Sequence, residues 1–226
     1  MLKAVVIDAD RLLIEGTFLD PLLDRRGLRE ELETRASWRS RESGKSDLAC
    51  LVDEVEEELD GKLFGLKLEE FALAAETVNE RIRPGACQFL NHIGEVCEDH
   101  VLYFLTETPC DILDNTRLYN SANITLGVTP CNAGNIVTGF RGFHSSKDHI
   151  ERLVRSHDEV LVIASECNDQ LLMHAHDAGM QTYKVHIMPK DEREAEHINL
   201  SSGLNYSFQG PMALAMQTFL GPYVVY

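Results

Sequence analysis

The stretch Ala4-Val5-Val6-Ile7-Asp8-Ala9-Asp10 decides the fold of this chain. Its four apolar residues, three of them β-branched, have the length and composition of a buried parallel strand. The strand ends at two acids, and the carboxyl ends of the strands are where ligands bind in open α/β sheets. Two buried acids repel each other unless a cation or hydrogen-bond donors offset the repulsion. The motif therefore predicts a bound positive charge, most simply a divalent metal with oxygen ligands.

The composition narrows the class of protein. The chain has 226 residues, 44% of them hydrophobic, which is enough for one large core or for a core with a small insert. Its formal net charge of −16 argues against binding to nucleic acid or to an anionic membrane surface. The same charge repels anionic ligands at long range, so an anion site must be built from local donors.

Two terminal stretches bear on localisation. The first apolar run is interrupted by Asp8, which is not the pattern of a signal peptide. The apolar stretch 211–226 is too short to cross a bilayer. The six cysteines contain no Cys-x-x-Cys pair, which favours reduced thiols over a disulfide framework. We therefore expect a cytoplasmic protein, and the sequence leaves its oligomeric state open.

The rest of the chain alternates between strand and helix patterns. Three further apolar runs resemble buried strands, at residues 101–105, 160–164 and 182–187. Helical spacing of apolar residues occurs at 86–96, 147–154 and 170–178. The glycine-rich stretch 124–142 indicates one or two short strands or a hairpin. This alternation predicts a Rossmann-like α/β core, a parallel sheet with helices on both faces.

Residues 17–83 differ from the rest of the chain in composition. They are rich in charge and in helical patterns, with helical segments predicted near 21–41, 46–59 and 68–81. A stretch this long between the first two strands indicates a domain of its own. We therefore predict an all-helical cap inserted over 17–83, and a core formed by residues 1–16 and 84–226.

The predicted strand ends carry a set of reactive side chains. Asp8 and Asp10 follow the first strand, Thr106 follows the second, and residues 165–169 follow the third. Lys147 stands at the start of the helix before that third strand. Because parallel strands end at one edge of a sheet, these groups are expected to meet there. A nucleophile, charge stabilisers and a metal site are what phosphoryl transfer requires.

The order and spacing of these motifs resemble the haloacid dehalogenase (HAD) superfamily, most of whose members are phosphatases. Asp8-Ala9-Asp10 is similar to the first motif of that family. The other motifs are matched in chain order by Thr106, by Lys147 and by residues 160–169 with the trailing Ala178-Gly179-Met180.

Smaller matches refine the resemblance. Arg83-Pro84-Gly85 is similar to the sequence at which a helical cap rejoins the core in this family. Ile136-Val137-Thr138-Gly139 and Asn168-Asp169 resemble the phosphoserine-phosphatase-like branch. Together the matches cover most of the chain up to about Met188.

The resemblance implies a role for each catalytic position. Asp8 would attack phosphorus and form an aspartyl-phosphate, and Asp10 would act as general acid and then as general base. Thr106 and the neighbouring N–H groups would hold the phosphoryl oxygens, and Lys147 would offset negative charge. The implied substrate is a small phosphorylated molecule.

The resemblance also implies binding positions. Mg²⁺ would be held by Asp8, by the main-chain carbonyl of Asp10 and by acids of the fourth motif, Glu166 and Asp169. The predicted substrate-binding positions are Glu107, Asn168 and Arg11, and for Arg11 a solvated side chain or a pair with Glu166 are the alternatives.

Two departures from the family pattern are visible in the sequence. Arg11 stands where the family usually has glycine, which tolerates backbone torsions that arginine does not. Ser165 stands where the family usually has a metal-binding aspartate, so we expect weaker Mg²⁺ binding. The leading prediction is a Mg²⁺-dependent phosphatase of a small phosphate ester, and the alternative is a catalytically impaired binding or regulatory protein with the same fold.

Overall fold

The computed structural model describes residues 2–83, 86–142, 146–165 and 168–185. Its six strands form one sheet in the order β4-β3-β2-β1-β5-β6. All neighbouring strands are parallel except β3 and β4, which are antiparallel. The strands are β1 (Lys3–Asp8), β2 (His100–Pro109), β3 (Ile124–Ala133), β4 (Ile136–Gly142), β5 (Glu159–Ser165) and β6 (Gln181–Val185).

Eight helices accompany the sheet within the described residues. Five of them, α1 to α5, lie between β1 and β2 in the sequence. The helices are α1 (Asp20–Arg26), α2 (Arg29–Ser43), α3 (Asp47–Glu57), α4 (Leu68–Glu80), α5 (Ala86–Val96), α6 (Cys110–Asp114), α7 (Ser146–Ser156) and α8 (Asp169–Asp177). The region predicted as one helical segment over 21–41 is two helices, because Gly27 adopts a left-handed φ of 67° and ends α1 there.

The alternation of side chains along β1 explains why both faces of the sheet are covered. Val5 and Ile7 belong to a large apolar cluster that includes residues of the helices between β1 and β3. Ala4 and Val6 point to the opposite face and belong to a second cluster with residues of α7 and α8. The predicted α/β architecture is therefore confirmed, with a fully buried central strand.

The helices after β1 are bonded to the β3–β4 hairpin. The N–H of Val137 donates to the carbonyl of Leu66 at 2.8 Å, and the N–H of Phe140 donates to Oε1 of Glu56 at 2.9 Å. The helices also share the larger apolar cluster with the sheet. The hairpin in 124–142 is confirmed, while the division of the chain into cap and core domains stays a prediction.

Strand β2 runs past its predicted end and carries a bulge. Its pairing with β3 shifts between Leu105 and Pro109, so that Thr106, Glu107 and Thr108 lie opposite Gly127. A Cβ at Gly127 would lie 2.8 Å from Cγ2 of Thr106 and 3.0 Å from the carbonyl oxygens of Thr106 and Thr108. The bulge can approach β3 only because residue 127 has no side chain.

Several predictions concern residues at the margins of the described part. The last predicted strand, over 182–187, is β6, whose described part ends at Val185, and residues 186–226 lie outside the described residues. No described helix is long and apolar enough to cross a membrane. Five of the six cysteines lie in the described part, and all five are free thiols.

The Gly127 contact yields a first prediction. Gly127→Ala should lower the free energy of unfolding by about 1–3 kcal/mol, because the added methyl group overpacks the bulge against backbone atoms. The matched control is Gly94→Ala in α5, where a Cβ has no neighbour within 4 Å. That control should raise stability by about 0.5–1 kcal/mol, as expected for alanine in a helix. Urea unfolding of both variants tests the pair, and equal effects would contradict the role assigned to Gly127.

Candidate active site

The two acids that end β1 are both buried. Asp8 and Asp10 are each 2% exposed. The sheet fixes their position, since Ala9 between them donates its N–H to the carbonyl of Leu105 on β2 at 2.8 Å. The predicted acid pair therefore lies at the carboxyl edge of the sheet, between β2 and β5.

Asp10 is well supplied with hydrogen-bond donors. Its Oδ2 accepts from Oγ1 of Thr106 at 2.6 Å and from the N–H of Glu107 at 3.2 Å. Its Oδ1 accepts from the N–H of Phe18 at 3.2 Å. Burial nevertheless raises the pKa of Asp10 to about 6, since desolvation outweighs these donors. A carboxyl group with this pKa can release and take up a proton near neutral pH.

Asp8 has a different environment. Burial, together with the charges of Asp10 and Glu107, raises its pKa well above the usual range. A hydrogen bond from the Asn168 side chain and the charge of Arg11 oppose that rise in pKa. Oδ2 of Asp8 is buried and has no hydrogen-bond partner among the described residues. One oxygen of Asp8 is thus left for a ligand or for an attack on one.

Asn168 reaches the site from the start of α8. It is the N-cap residue of that helix, and its Oδ1 accepts the N–H of Leu171 at 3.2 Å. This bond fixes the amide group, so that its other end can donate to Asp8. The structure therefore places Asn168, which was predicted as a substrate-binding residue, in contact with Asp8.

Arg11 occupies a strained turn directly after Asp10. Its φ is 61°. Among the described residues, Arg11 is the only one other than glycine that has a positive φ. The N–H of Leu12 donates to the carbonyl of Asp10 at 2.6 Å, which closes a three-residue γ-turn around Arg11. Arg11 therefore has the positive φ that normally favours glycine, and the backbone is strained at this residue.

The bulge of β2 delivers the predicted residues Thr106 and Glu107. Oγ1 of Thr106 also lies 2.8 Å from Oγ1 of Thr108, so two hydroxyl groups stand beside Asp10. The buried carboxylate of Glu107 accepts a hydrogen bond from the hydroxyl of Ser46, which caps helix α3. Glu107 therefore connects the site to the helices that follow β1.

Ser165 ends β5 beside the acid pair. Its side chain is fully buried, and its Oγ has no hydrogen-bond partner among the described residues. Oδ2 of Asp8 and Oγ of Ser165 are both oxygen atoms of the kind that Mg²⁺ prefers. The donor chemistry thus fits a hard cation, with one anionic oxygen where the family pattern has two.

The other predicted metal ligands are the main-chain carbonyl of Asp10 and the acids Glu166 and Asp169. The carbonyl of Asp10 already accepts the N–H of Leu12. Glu166 and the side chain of Asp169 lie outside the described residues. Within the described part, no group of three or more histidine, cysteine, aspartate or glutamate residues is arranged to hold a metal.

Lys147 is the remaining predicted catalytic residue. It is the second residue of α7, and its side chain is exposed. The positive charge that lowers the pKa of both Asp8 and Asp10 comes from Arg11. A contact between Lys147 and Asp8 stays a prediction.

Sequence reasoning missed three contributors to the site. The hydroxyl of Ser46 is the first, and its bond to Glu107 joins residues 61 positions apart. The N–H of Phe18 and the hydroxyl of Thr108 also support the site. No sequence pattern signals these contacts, because the Ser46 bond depends on the packing of distant segments and the other two depend on the local backbone path after β1 and in the bulge of β2.

Comparison with known proteins places the fold. No family model matches the sequence, and no curated protein matches it. Among solved structures, a phosphoserine phosphatase from T. onnurineus aligns with a TM-score of 0.60 and 17% identity, over 89% of this chain and 96% of that one. A substrate-bound phosphoserine phosphatase aligns with a TM-score of 0.61 and 12% identity, over 88% and 91% of the two chains.

A further similar structure widens the comparison. A HAD family hydrolase from Salmonella enterica aligns with a TM-score of 0.57 and 13% identity, over 76% of this chain and 60% of that one. At such identities the likeness concerns the fold, and it agrees with the motif order read from the sequence. The chain therefore shares the fold of these solved structures, which is a phosphoserine-phosphatase-like fold.

Proposed function

We propose that this protein is a phosphatase that hydrolyses a small phosphate ester through an aspartyl-phosphate on Asp8. The observation that carries the proposal is the unequal treatment of two buried acids. Asp10 is held by three donors, whereas Asp8 keeps one buried oxygen with no partner among the described residues. Different environments that give two neighbouring acids different pKa values are typical of a pair with separate acid and nucleophile roles.

In the first step a carboxylate oxygen of Asp8 attacks phosphorus. The bond between phosphorus and the ester oxygen breaks, and Asp10 transfers its proton to the departing oxygen. Asp8 must be ionised for this attack. Burial and the charges of Asp10 and Glu107 raise its pKa, whereas Asn168 and Arg11 oppose the rise, and the positive charge of a bound Mg²⁺ would oppose it further. With a pKa of about 6, Asp10 is protonated in roughly one molecule in ten at pH 7, far more often than a carboxyl group of ordinary pKa.

In the second step water replaces the aspartate. Asp10, now ionised, accepts a proton from the water as its oxygen attacks phosphorus. The bond between phosphorus and Asp8 breaks, which regenerates the carboxylate and releases inorganic phosphate. Thr106 and the N–H of Glu107 hold Asp10 in place throughout, since both donate to its Oδ2.

We include Mg²⁺ in this proposal. Asp8 and Ser165, with Glu166 and Asp169 from the fourth motif, are the residues proposed to hold it. When bound, the cation supplies positive charge that stabilises the transferring phosphoryl group. Phosphoserine phosphatases of the same fold support the proposal for a small phosphorylated substrate.

A second candidate function is favoured by Ser165 and by the turn at Arg11. A hydroxyl replaces an anionic metal ligand, and the carbonyl of Asp10 is engaged by Leu12. Both features weaken a cation site, so a binding or regulatory protein that retains phosphate recognition without turnover is the alternative. Phosphate release by the wild type, measured below, separates the two, because the alternative predicts no turnover.

The direct test is phosphate release from a panel of small phosphate esters, with Mg²⁺ and with chelator. Asp8→Asn should reduce release to the level of the enzyme-free control, because the amide is not a competent nucleophile. The matched control Asp60→Asn alters an exposed acid and should leave release unchanged. Release that persists in Asp8→Asn, or none from the wild type on any ester, would contradict the proposed reaction.

The raised pKa of Asp10 yields a prediction about stability. The carboxyl group of Asp10 holds its proton more tightly in the folded protein than in the unfolded chain, where its pKa is near 3.8. The contribution of Asp10 to stability is therefore lost as pH rises towards about 6. Asp10→Asn removes this loss. In chelator, the gain in free energy of unfolding over wild type should be roughly 2 kcal/mol larger at pH 7.5 than at pH 4.5.

Urea unfolding at the two pH values measures this gain. Asp60→Asn again serves as control, and its effect should be the same at both pH values because that acid is exposed. A difference between Asp10→Asn and wild type that does not grow with pH would show that Asp10 titrates normally in the folded protein.

The Ser165 position yields a prediction about metal affinity. Ser165→Asp should tighten Mg²⁺ binding by roughly tenfold or more, since a full negative charge is added beside the cation. Ser165→Asn, of similar size but neutral, should give little change. Isothermal titration of Mg²⁺ into both variants checks this, and equal affinities would place the cation away from β5.

A further inference from the structure

We propose that the guanidinium of Arg11 binds the phosphoryl group directly, so that phosphate binding at this site does not require a divalent cation to be bound first. The inference rests on the proposed function, because it concerns the same site. It goes further because a side chain of the protein supplies part of the positive charge that a metal would supply. Four observations carry it.

The first observation is the strained backbone at Arg11. A left-handed conformation costs a residue with a Cβ free energy that glycine would avoid. The turn is nevertheless fixed, because the N–H of Arg11 donates to the carbonyl of Gly16 at 3.0 Å and its own carbonyl accepts from Nε of Arg83 at 3.0 Å. Strain of this kind persists at sites where a side chain must be held in one direction.

The second observation is the surroundings of the side chain. Arg11 is half-buried, and it lies close enough to Asp8 and Asp10 for its charge to act on both carboxyl groups. The carboxylate of Glu107 acts on the same two acids. The guanidinium thus lies within electrostatic range of the two acids at which the phosphoryl group would react.

The third observation concerns the donors that an anion needs. The hydroxyl of Thr106 and the N–H of Glu107 already donate to Asp10. A phosphate group therefore requires further donors near Asp8. Arginine presents several N–H groups in a planar fork that matches two oxygens of a phosphate.

The fourth observation is the charge balance of the site. Ser165 removes one negative charge from the family pattern at the end of β5, and Arg11 adds one positive charge after β1. Both changes disfavour a divalent cation and favour an anion, because like charges repel at short range. The acidic protein as a whole repels anions, so this local cation is where a phosphate gains its attraction.

The experiment measures binding of inorganic phosphate to the full chain in chelator, by isothermal titration and by thermal shift. Wild type should bind, and Arg11→Gly should weaken the affinity at least about tenfold, the loss expected for a charged hydrogen bond. Arg11→Lys should lose less, because it keeps the charge without the fork. Arg155→Gln, which removes an exposed charge on α7, should bind as wild type does.

Loss of binding in Arg11→Gly cannot be attributed to unfolding, since glycine suits this turn and thermal unfolding of the variant checks it. Phosphate that binds equally well to Arg11→Gly in chelator, or that binds wild type only after Mg²⁺ is added, would overturn the proposal. Neither result touches the proposed reaction, which is judged by phosphate release that depends on Asp8.

Discussion

The burial of two carboxyl groups at the end of β1 is the constraint on which the rest of the site depends. Asp8 and Asp10 are both almost fully removed from water, which is unfavourable for charged groups. The structure compensates Asp10 with donors from Thr106, Glu107 and Phe18. It compensates Asp8 only in part, and one buried oxygen of Asp8 keeps no hydrogen-bond partner among the described residues.

The compensation is made possible by an irregular strand. The bulge in β2 turns the hydroxyl of Thr106 and the N–H of Glu107 towards Asp10, and Gly127 on β3 gives the bulge its space. Ser46, at the start of α3, then holds the side chain of Glu107. The helices after β1 thus contribute to the site through a specific bond as well as through the shared apolar cluster.

The electrostatics of the site differ from those implied by the family resemblance. The resemblance implies acids that gather around a divalent cation, whereas this chain has a serine at one ligand position and an arginine beside the acid pair. A fixed cation on the protein lowers the energy of the ionised acids without any metal. Under the proposal for Arg11, recognition of phosphate and use of a metal are separable in this site.

Much of the fold was predictable because hydrophobic patterns are local. The buried strands at 4–7, 101–105 and 160–164 were found from runs of apolar residues, and the helices between them from spacing. The break between α1 and α2 was missed, although Gly27 marks it, because the charged pattern continues on both sides. The bulge in β2 was missed because it depends on the partner strand.

Besides resembling the HAD superfamily in the order of its motifs, the sequence alone determined that two acids end a buried strand and that a hydroxyl follows the apolar run of the next one. These features follow from residue type and spacing, which any chain displays before it folds. Only the tertiary structure decided which acid is supplied with donors, that Arg11 keeps a left-handed turn, and that Ser46 meets Glu107. Such features depend on contacts between residues far apart in the chain, where burial and geometry set the energy.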